Sequence, residues 1–291
     1  MLIPERQITM NRRTFLKRAI GSLAAIFGVG GGTYYYARDV EPRMLSIHEE
    51  ELASAKIPVA FDGFKIIQFS DTHIGFHYSL DQFSKLVDKI NDEHPDLIVF
   101  TGDLVDEPHT YHWNNELIQI LEKLQANYGK YWIYGNHDHG GYGTDIVKNV
   151  MDKAGFQLLK NSHTSIEHNS GQVVLAGIDD VMLGRPDLES ALKDADAEAF
   201  TILLAHEPDY ADNTIQFPVD VQLSGHSHGG QVRFPFIGHL YTPLYAQKYV
   251  QGKHTFQENN LTLYVNRGIG TTRLPYRFLC KPEIHVFQLK S

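Results

Sequence analysis

Asp71, His73, Asp103, Asp106, Asn136, His137, His206, His226 and His228 are the residues whose types and spacing could do chemistry together. Carboxylates combined with imidazoles hold divalent transition metals, and a histidine left over from such a set can give or take a proton. They fall in short blocks: Asp71-Thr72-His73, Gly102-Asp103-Leu104-Val105-Asp106, Gly135-Asn136-His137-Asp138, His206 alone, and Gly225-His226-Ser227-His228. Within the third block, Asn136 offers a neutral oxygen, His137 an imidazole and Asp138 a carboxylate. Any one block would also serve as an ordinary turn, and a lone histidine such as His206 is more often structural. The case rests on all five occurring together.

Each block follows an apolar run. Phe64 to Ser70 precedes the first, Asp96 to Thr101 the second, Tyr131 to Tyr134 the third, Thr201 to Ala205 the fourth and Asp220 to Ser224 the fifth. These runs read as buried strands, and ligands in α/β folds gather beyond the carboxyl ends of strands. The five ends are therefore expected to meet in one place. Between them, helical spacing predicts a helix from Ser79 as cap through Ile90, another over Trp113 to Leu124, and a third over Asp145 to Ala154 capped by Thr144. Strand, helix, strand in that order predicts parallel pairing with a right-handed crossover. Gly140 to Gly143 reads as a flexible loop over the site. Beyond it the pattern turns β-rich: strands at His163–His168 and Val173–Ile178 around a turn, a short helix at Leu188–Asp194, and C-terminal strands at Leu261–Val265 and Ile284–Leu289. The expected fold class is α/β (α+β), with two packed mixed β-sheets flanked by helices.

The five blocks, in their order and spacing, resemble the calcineurin-like metallophosphoesterase superfamily, and within it the small exported or membrane-associated bacterial members. The resemblance runs from about Phe64 to the C-terminus. It implies a four-layer sandwich and a binuclear site for two divalent ions, of which mixed ligands suit Mn, Fe or Zn. Asp103 would bridge the ions, with Asp71, His73 and His228 completing the first site and Asn136, His206 and His226 the second. A hydroxide between the metals would attack phosphorus in line. His137 would protonate the leaving oxygen, Asp106 would orient His137, and Asp138 would support the site from behind. The implied function is hydrolysis of phosphate mono- or diesters, or of a lipid or sugar pyrophosphate. The competing class is a metal-binding scaffold of the same fold that does not turn over; such scaffolds lose ligands, and here every block is intact. His77 and His139 are secondary candidates for touching substrate. Arg267 could grip a phosphate or serve in an ion pair, and Asp179-Asp180 reads as a loop-capping pair.

The 291 residues, 42% hydrophobic and 21% charged, suit one globular domain. The net charge is −9, with the clearest basic cluster at the N-terminus, so nucleic acid is not expected as a partner. A single cysteine, Cys280, permits no internal disulfide. Asn11-Arg12-Arg13-Thr14-Phe15-Leu16-Lys17 resembles the twin-arginine export motif and leads into an uncharged, glycine-rich stretch, Ala19 to Gly32. Residues 1–40 are accordingly read as an export signal, kept as a membrane anchor or cleaved, with either Met1 or Met10 as the start. Residues 41–58 are read as a linker with an edge strand, and 59–291 as the catalytic domain. The partners expected are a phosphorylated small-molecule or lipid substrate, the twin-arginine translocase, and the membrane or cell wall. The expected location is the cell envelope, outside the cytoplasmic membrane.

Overall fold

A computed structural model describes residues 11–139, 144–257 and 260–291; the Gly140–Gly143 loop and Met10 lie outside the described residues. Two six-stranded sheets organise it. The first has the order β1 (Ser46–Ala53), β14 (Glu283–Lys290), β2 (Lys65–Phe69), β3 (Leu97–Phe100), β4 (Lys130–Trp132) and β5 (Phe156–Leu158). The second runs β12 (Gly252–Thr255), β13 (Thr262–Val265), β9 (Val221–Ser224), β8 (Thr201–Leu204), β7 (Gly171–Gly177) and β6 (Ser162–His168). A two-residue hairpin, β10 (Arg233–Phe234) and β11 (Gly238–His239), stands apart from both.

Helices are α1 (Arg12–Tyr35), α2 (Leu80–Asp92), α3 (Asn115–Glu122), α4 (Asn136–His139), α5 (Thr144–Lys153), α6 (Leu188–Ala191) and α7 (Ala211–Thr214). Ser79 starts α2 with a reciprocal capping box: its hydroxyl accepts from the Gln82 amide while the Gln82 side chain accepts from the Ser79 amide. The apolar stripe of that helix, Phe83, Leu86, Val87 and Ile90, is buried as its spacing predicts.

Alternation along the strands divides the core into layers. On β3, Ile98 and Phe100 pack outward against α2, α3 and α5, whereas Leu97 and Val99 face the second sheet. Ile202, Leu204, Val221 and Leu223 meet them from β8 and β9. On the far side Leu203 and Leu263 pack with Leu188, Ala191 and Ala211 of the outer helices. Helix, sheet, sheet, helix is the four-layer arrangement expected.

β2, β3, β4 and β5 pair in parallel, as do β7, β8, β9 and β13. Parallel neighbours send their carboxyl ends the same way, which brings the five blocks to one edge of the sandwich. Residues 41–58 contribute more than a connection. β1 pairs in parallel with β14 along its whole length, and buried Glu41 accepts hydrogen bonds from the Leu279 and Cys280 amides. The N-terminal helix continues as one π-helical turn, Tyr36–Val40, and docks by its end: Ala37 O accepts from the Arg277 amide, and the Tyr34 and Tyr36 rings lie 5.6 and 6.3 Å from those of Tyr276 and Phe278. Among the described residues no helix is long and apolar enough to cross a membrane.

Candidate metal centre

Every candidate ligand sits just past a strand, and five of them hold left-handed backbone: Asp71 (φ 53°), His73 (43°), Asp103 (64°), His226 (66°) and His228 (50°). Side chains rarely adopt that region, at a cost of about 1–3 kcal/mol each, and such positions concentrate at functional sites. The turns are locked to one another. The Asp71 amide donates to Gly102 O (2.9 Å), the His226 amide to the Asp71 carboxylate (3.0 Å), and the Gly225 amide to His206 O (3.0 Å). The His137 amide donates to Asp103 Oδ1 (2.8 Å). Two motif glycines make this approach possible. A Cβ on Gly135 would lie 2.3 Å from Asp103 Oδ1, and one on Gly225 would lie 2.1 Å from Ser70 Oγ.

Two buried clusters result, Asp71/His73/His228 and Asp103/His206/His226, each with ligand atoms within 4.8 Å of one another. In the first, His73 Nε2 and His228 Nε2 are 3.0 Å apart, and His228 Nε2 is 3.4 Å from Asp71 Oδ1. Ligands about 2.0–2.1 Å from a common ion at tetrahedral or octahedral angles would be separated by about 3–3.4 Å, so the spacing fits one transition metal. Asp103 Oδ2 reaches both sets, 3.6 Å from His73 Nε2 and 3.2 Å from His206 Nε2. His206 fixes its ring through Nδ1, 2.6 Å from Thr101 O, and His226 through Nε2, 2.9 Å from Leu244 O. The opposite nitrogens are thereby left for an ion. Buried His206 Nε2 and Asn136 Oδ1 have no hydrogen-bond partner, as expected of atoms that need a cation.

The charges agree. Burial and the neighbouring His206 push His226 down to about 3, and burial together with His73 pushes His228 well down, so both rings are neutral. Burial opposes charge on His206 as well, but Asp103 outweighs it and raises that ring well above its usual range. Asp138 is fully buried and accepts from the amides of Asp103 (2.8 Å), Leu104 (3.0 Å) and Gly135 (2.9 Å), tying the second block to the third. Burial, helped by Asp103, pushes its carboxyl up to about 7 while these amides pull it down.

Asp106 differs from expectation in which of its atoms does what. Its carboxylate Oδ1 lies 2.9 Å from His73 Nδ1, poorly aligned, and 3.7 Å from His137 Nδ1. His137 Nδ1 instead meets the main-chain carbonyl of Asp106 at 2.6 Å. Thr272 Oγ1 donates to the same Oδ1 at 3.0 Å, a contact with no signal in the sequence.

Of the secondary candidates, Arg267 is an ion-pair residue: its Nε lies 2.5 Å from Glu283 Oε2, within a cluster that includes His48 and His285. His139 bonds Asp179 at 2.8 Å, and His77 lines a separate small cavity beside Arg38 and Arg43. Asp179 and Asp180 do cap their loop, accepting from the Arg185 and Leu183 amides. The metal cluster opens into a cavity of about 390 Å³ whose other walls include Met182, Val232, Leu240, Tyr241, Pro243 and Leu274. None of these wall residues carries a sequence motif.

The family model for calcineurin-like phosphoesterases matches residues 64–230. Over 97% of its length the chain is 48% identical to the uncharacterized metallophosphoesterase YkuE of Bacillus subtilis, covering 98% of that protein. It is 28% identical to the phosphodiesterase YaeI of Escherichia coli, over 96% of this chain and 99% of that one. It is 27% identical to the UDP-2,3-diacylglucosamine pyrophosphatase LpxG of Chlamydia trachomatis, over 90% and 94% respectively.

Proposed function

The chain belongs to the calcineurin-like phosphoesterase family, a hydrolase of phosphoester bonds that uses two divalent metals, and from that premise we propose the residues that do the work. Asp71, His73 and His228 would hold one ion and Asn136, His206 and His226 the other, with Asp103 a ligand available to both. The observation that carries this reading is the single oxygen, Asp103 Oδ2, within 3.6 Å of a ring nitrogen from each set. When bound, two such ions supply Lewis acidity toward a phosphoryl oxygen and an activated water at neutral pH.

The remaining residues orient and transfer protons. His137 is the general acid for the leaving oxygen. Its Nδ1 proton is held by the Asp106 carbonyl, which leaves Nε2 as the proton-transferring atom. Burial opposes its charge, but Asp103 and that carbonyl raise its pKa above the ordinary value, the direction a proton donor needs. The Asp106 carboxylate backs His73 and not His137.

Substrates are phosphodiesters, monoesters or pyrophosphates, the relatives' printed activities being a phosphodiesterase and a diacylglucosamine pyrophosphatase. The site metals are Mn, Fe or Zn. The action is outside the cytoplasmic membrane, after export on the paired Arg12-Arg13 signal; replacing both by lysine would leave folded protein in the cytoplasm, and unchanged delivery would refute that route. The test of the site is elemental analysis. Active protein should carry two metal ions per chain, and Asp103→Asn should lose most of both; one ion in fully active protein would refute the bridging assignment.

A further inference from the structure

Large apolar side chains left in water are not scattered over this molecule. Of the 21 that are exposed among the described residues, nine lie between Phe234 and Leu279 and seven on α1. Three of the first group, Leu240, Tyr241 and Leu274, line the metal cavity. β10 and β11 are joined by Pro235-Phe236-Ile237, and at this tip Phe236 is fully exposed and Ile237 is 73% exposed. Leu240, Tyr241 and Leu274, each more than half exposed, continue the surface from the tip into the cavity wall. A hairpin of two residue pairs is marginal by itself. Here it is rooted: the Arg233 amide donates to Phe278 O (2.9 Å), the Arg233 guanidinium to Gly229 O (2.8 Å), and the Phe234 and Phe278 rings lie 6.0 Å apart. The fold thus holds out an apolar tip, Phe236 and Ile237, that is exposed among the described residues.

The charge around it identifies what it meets. Residues 226–280 carry six Lys or Arg and one acidic residue, Glu258, in a chain whose net charge is −9; Arg277 is buried, Arg267 pairs with Glu283 and Lys248 with Asp212, and Arg233, Lys253 and Arg273 complete the six. Arg233 stands at the root of the hairpin, and Arg273 lies over the Tyr241 ring at 5.2 Å. The same 276–278 segment that anchors the hairpin receives the end of α1, which begins with Arg12, Arg13, Lys17 and Arg18. Exposed aromatic and aliphatic side chains at a tip, with cations behind them, are the composition of a surface that enters the headgroup region of an anionic bilayer. Exposed apolar patches rimmed by polar groups mark interaction sites.

We propose that this face docks on an anionic lipid bilayer, with Phe236 and Ile237 inserted, and that the apolar cavity takes the hydrocarbon tail of a phosphoester substrate drawn from it. The phosphate would lie at the metal cluster and the tail along Val232, Leu240 and Leu274. This substrate class rests on the hydrolase reading above and narrows it to amphiphiles.

The experiment uses the full-length, metal-loaded protein and its Phe236→Ser/Ile237→Ser variant. Both are sedimented with phosphatidylcholine vesicles, with and without phosphatidylglycerol, and assayed in solution on bis-p-nitrophenyl phosphate. The wild type should bind vesicles containing phosphatidylglycerol, and the variant should bind about tenfold or more weakly, the loss expected from removing one well-buried apolar side chain or more. Soluble turnover should be equal, because neither residue lines the cavity. A second arm compares p-nitrophenyl ethyl phosphate with p-nitrophenyl dodecyl phosphate below its micellar concentration, which share a leaving group. KM should be at least tenfold lower for the dodecyl ester. Wild type that stays in the supernatant, a variant that binds as well as wild type, self-association abolished by the variant in place of vesicle binding, or equal KM for the two esters would each overturn the proposal. Absent soluble turnover in wild type would instead count against the hydrolase reading.

Discussion

Replacing Asp106 by asparagine separates two roles that the sequence merges into one. The substitution removes the negative charge 2.9 Å from His73 Nδ1 but keeps the main-chain carbonyl 2.6 Å from His137 Nδ1. A carboxylate behind a ligating histidine makes the ring a better donor, and losing it typically costs about 10–100-fold in metal affinity or activity. That factor corresponds to about 1.4–2.7 kcal/mol. The upper part of the range applies where the carboxylate is well buried and the lower where solvent screens it; the Asp106 side chain is 12% exposed, which argues for the middle. The structure therefore predicts a loss of about 30-fold in the affinity of the first site. Competition against a graded chelator, followed by elemental analysis, measures it. At saturating metal the variant should recover most of its rate. It should also keep the wild-type ratio of kcat/KM between an alkyl ester and a nitrophenyl ester, because His137 is still held by the carbonyl. Thr272→Val, which removes the hydroxyl donated to Asp106 Oδ1, should weaken metal binding in the same direction by less. If Asp106→Asn left metal affinity intact and selectively slowed the alkyl ester, the carboxylate would belong to His137 and the assignment to His73 would be wrong.

His137→Ala should cost about 10²–10⁴-fold on an alkyl ester and clearly less on a nitrophenyl ester, whose leaving group needs no proton, with two metals retained; equal losses would refute the acid role. Gly135→Ala should fold with reduced metal content by elemental analysis, since the new Cβ collides with Asp103 Oδ1, and full metal loading would refute that close approach. Glu283→Gln should destabilise the metal-free protein by about 1.5–3 kcal/mol at pH 7, because it leaves half-buried Arg267 without its carboxylate partner. Burial opposes charge on Glu283, but His285, His48 and Arg267 hold its carboxyl well below 4.5. A depressed acid stabilises the fold above its unfolded value and loses that stabilisation as pH falls through the folded one. The gap between wild type and variant in urea denaturation should accordingly be full above about pH 4.5 and shrink below it; a gap independent of pH would refute the assignment.

The core of this molecule was legible because its strands are short apolar runs closed by turn residues, and the same turn residues carry the chemistry. Ile98 and Val99 announce opposite faces of β3 by alternation alone, and Asp103 follows two residues after the run ends. What stayed hidden depends on contacts between residues far apart in the chain. Nothing in Gly-Asp-Leu-Val-Asp says that the last carboxylate turns to His73 while its carbonyl serves His137. β5, three residues long, and β12, polar and mostly exposed, are strands only because neighbours complete them. β10 and β11 are shorter still and surround a proline. Arg267 offered two readings, and the choice depended on Glu283, which reaches it only once β14 is in place.

The position of β14 has a consequence for how the protein is made. It is the last strand of the chain, yet it lies inside the first sheet, parallel to β1 on one side and antiparallel to β2 on the other. Until it emerges, β1 has nothing to pair with, β2 presents an open edge, and Ile284, Val286, Phe287 and Leu289 are missing from two layers of the core. A chain synthesised only as far as residue 282 therefore cannot complete the first sheet. Nascent chains arrested before Glu283 should remain protease-sensitive and chaperone-bound. Closure of the first sheet waits on residues 283–290.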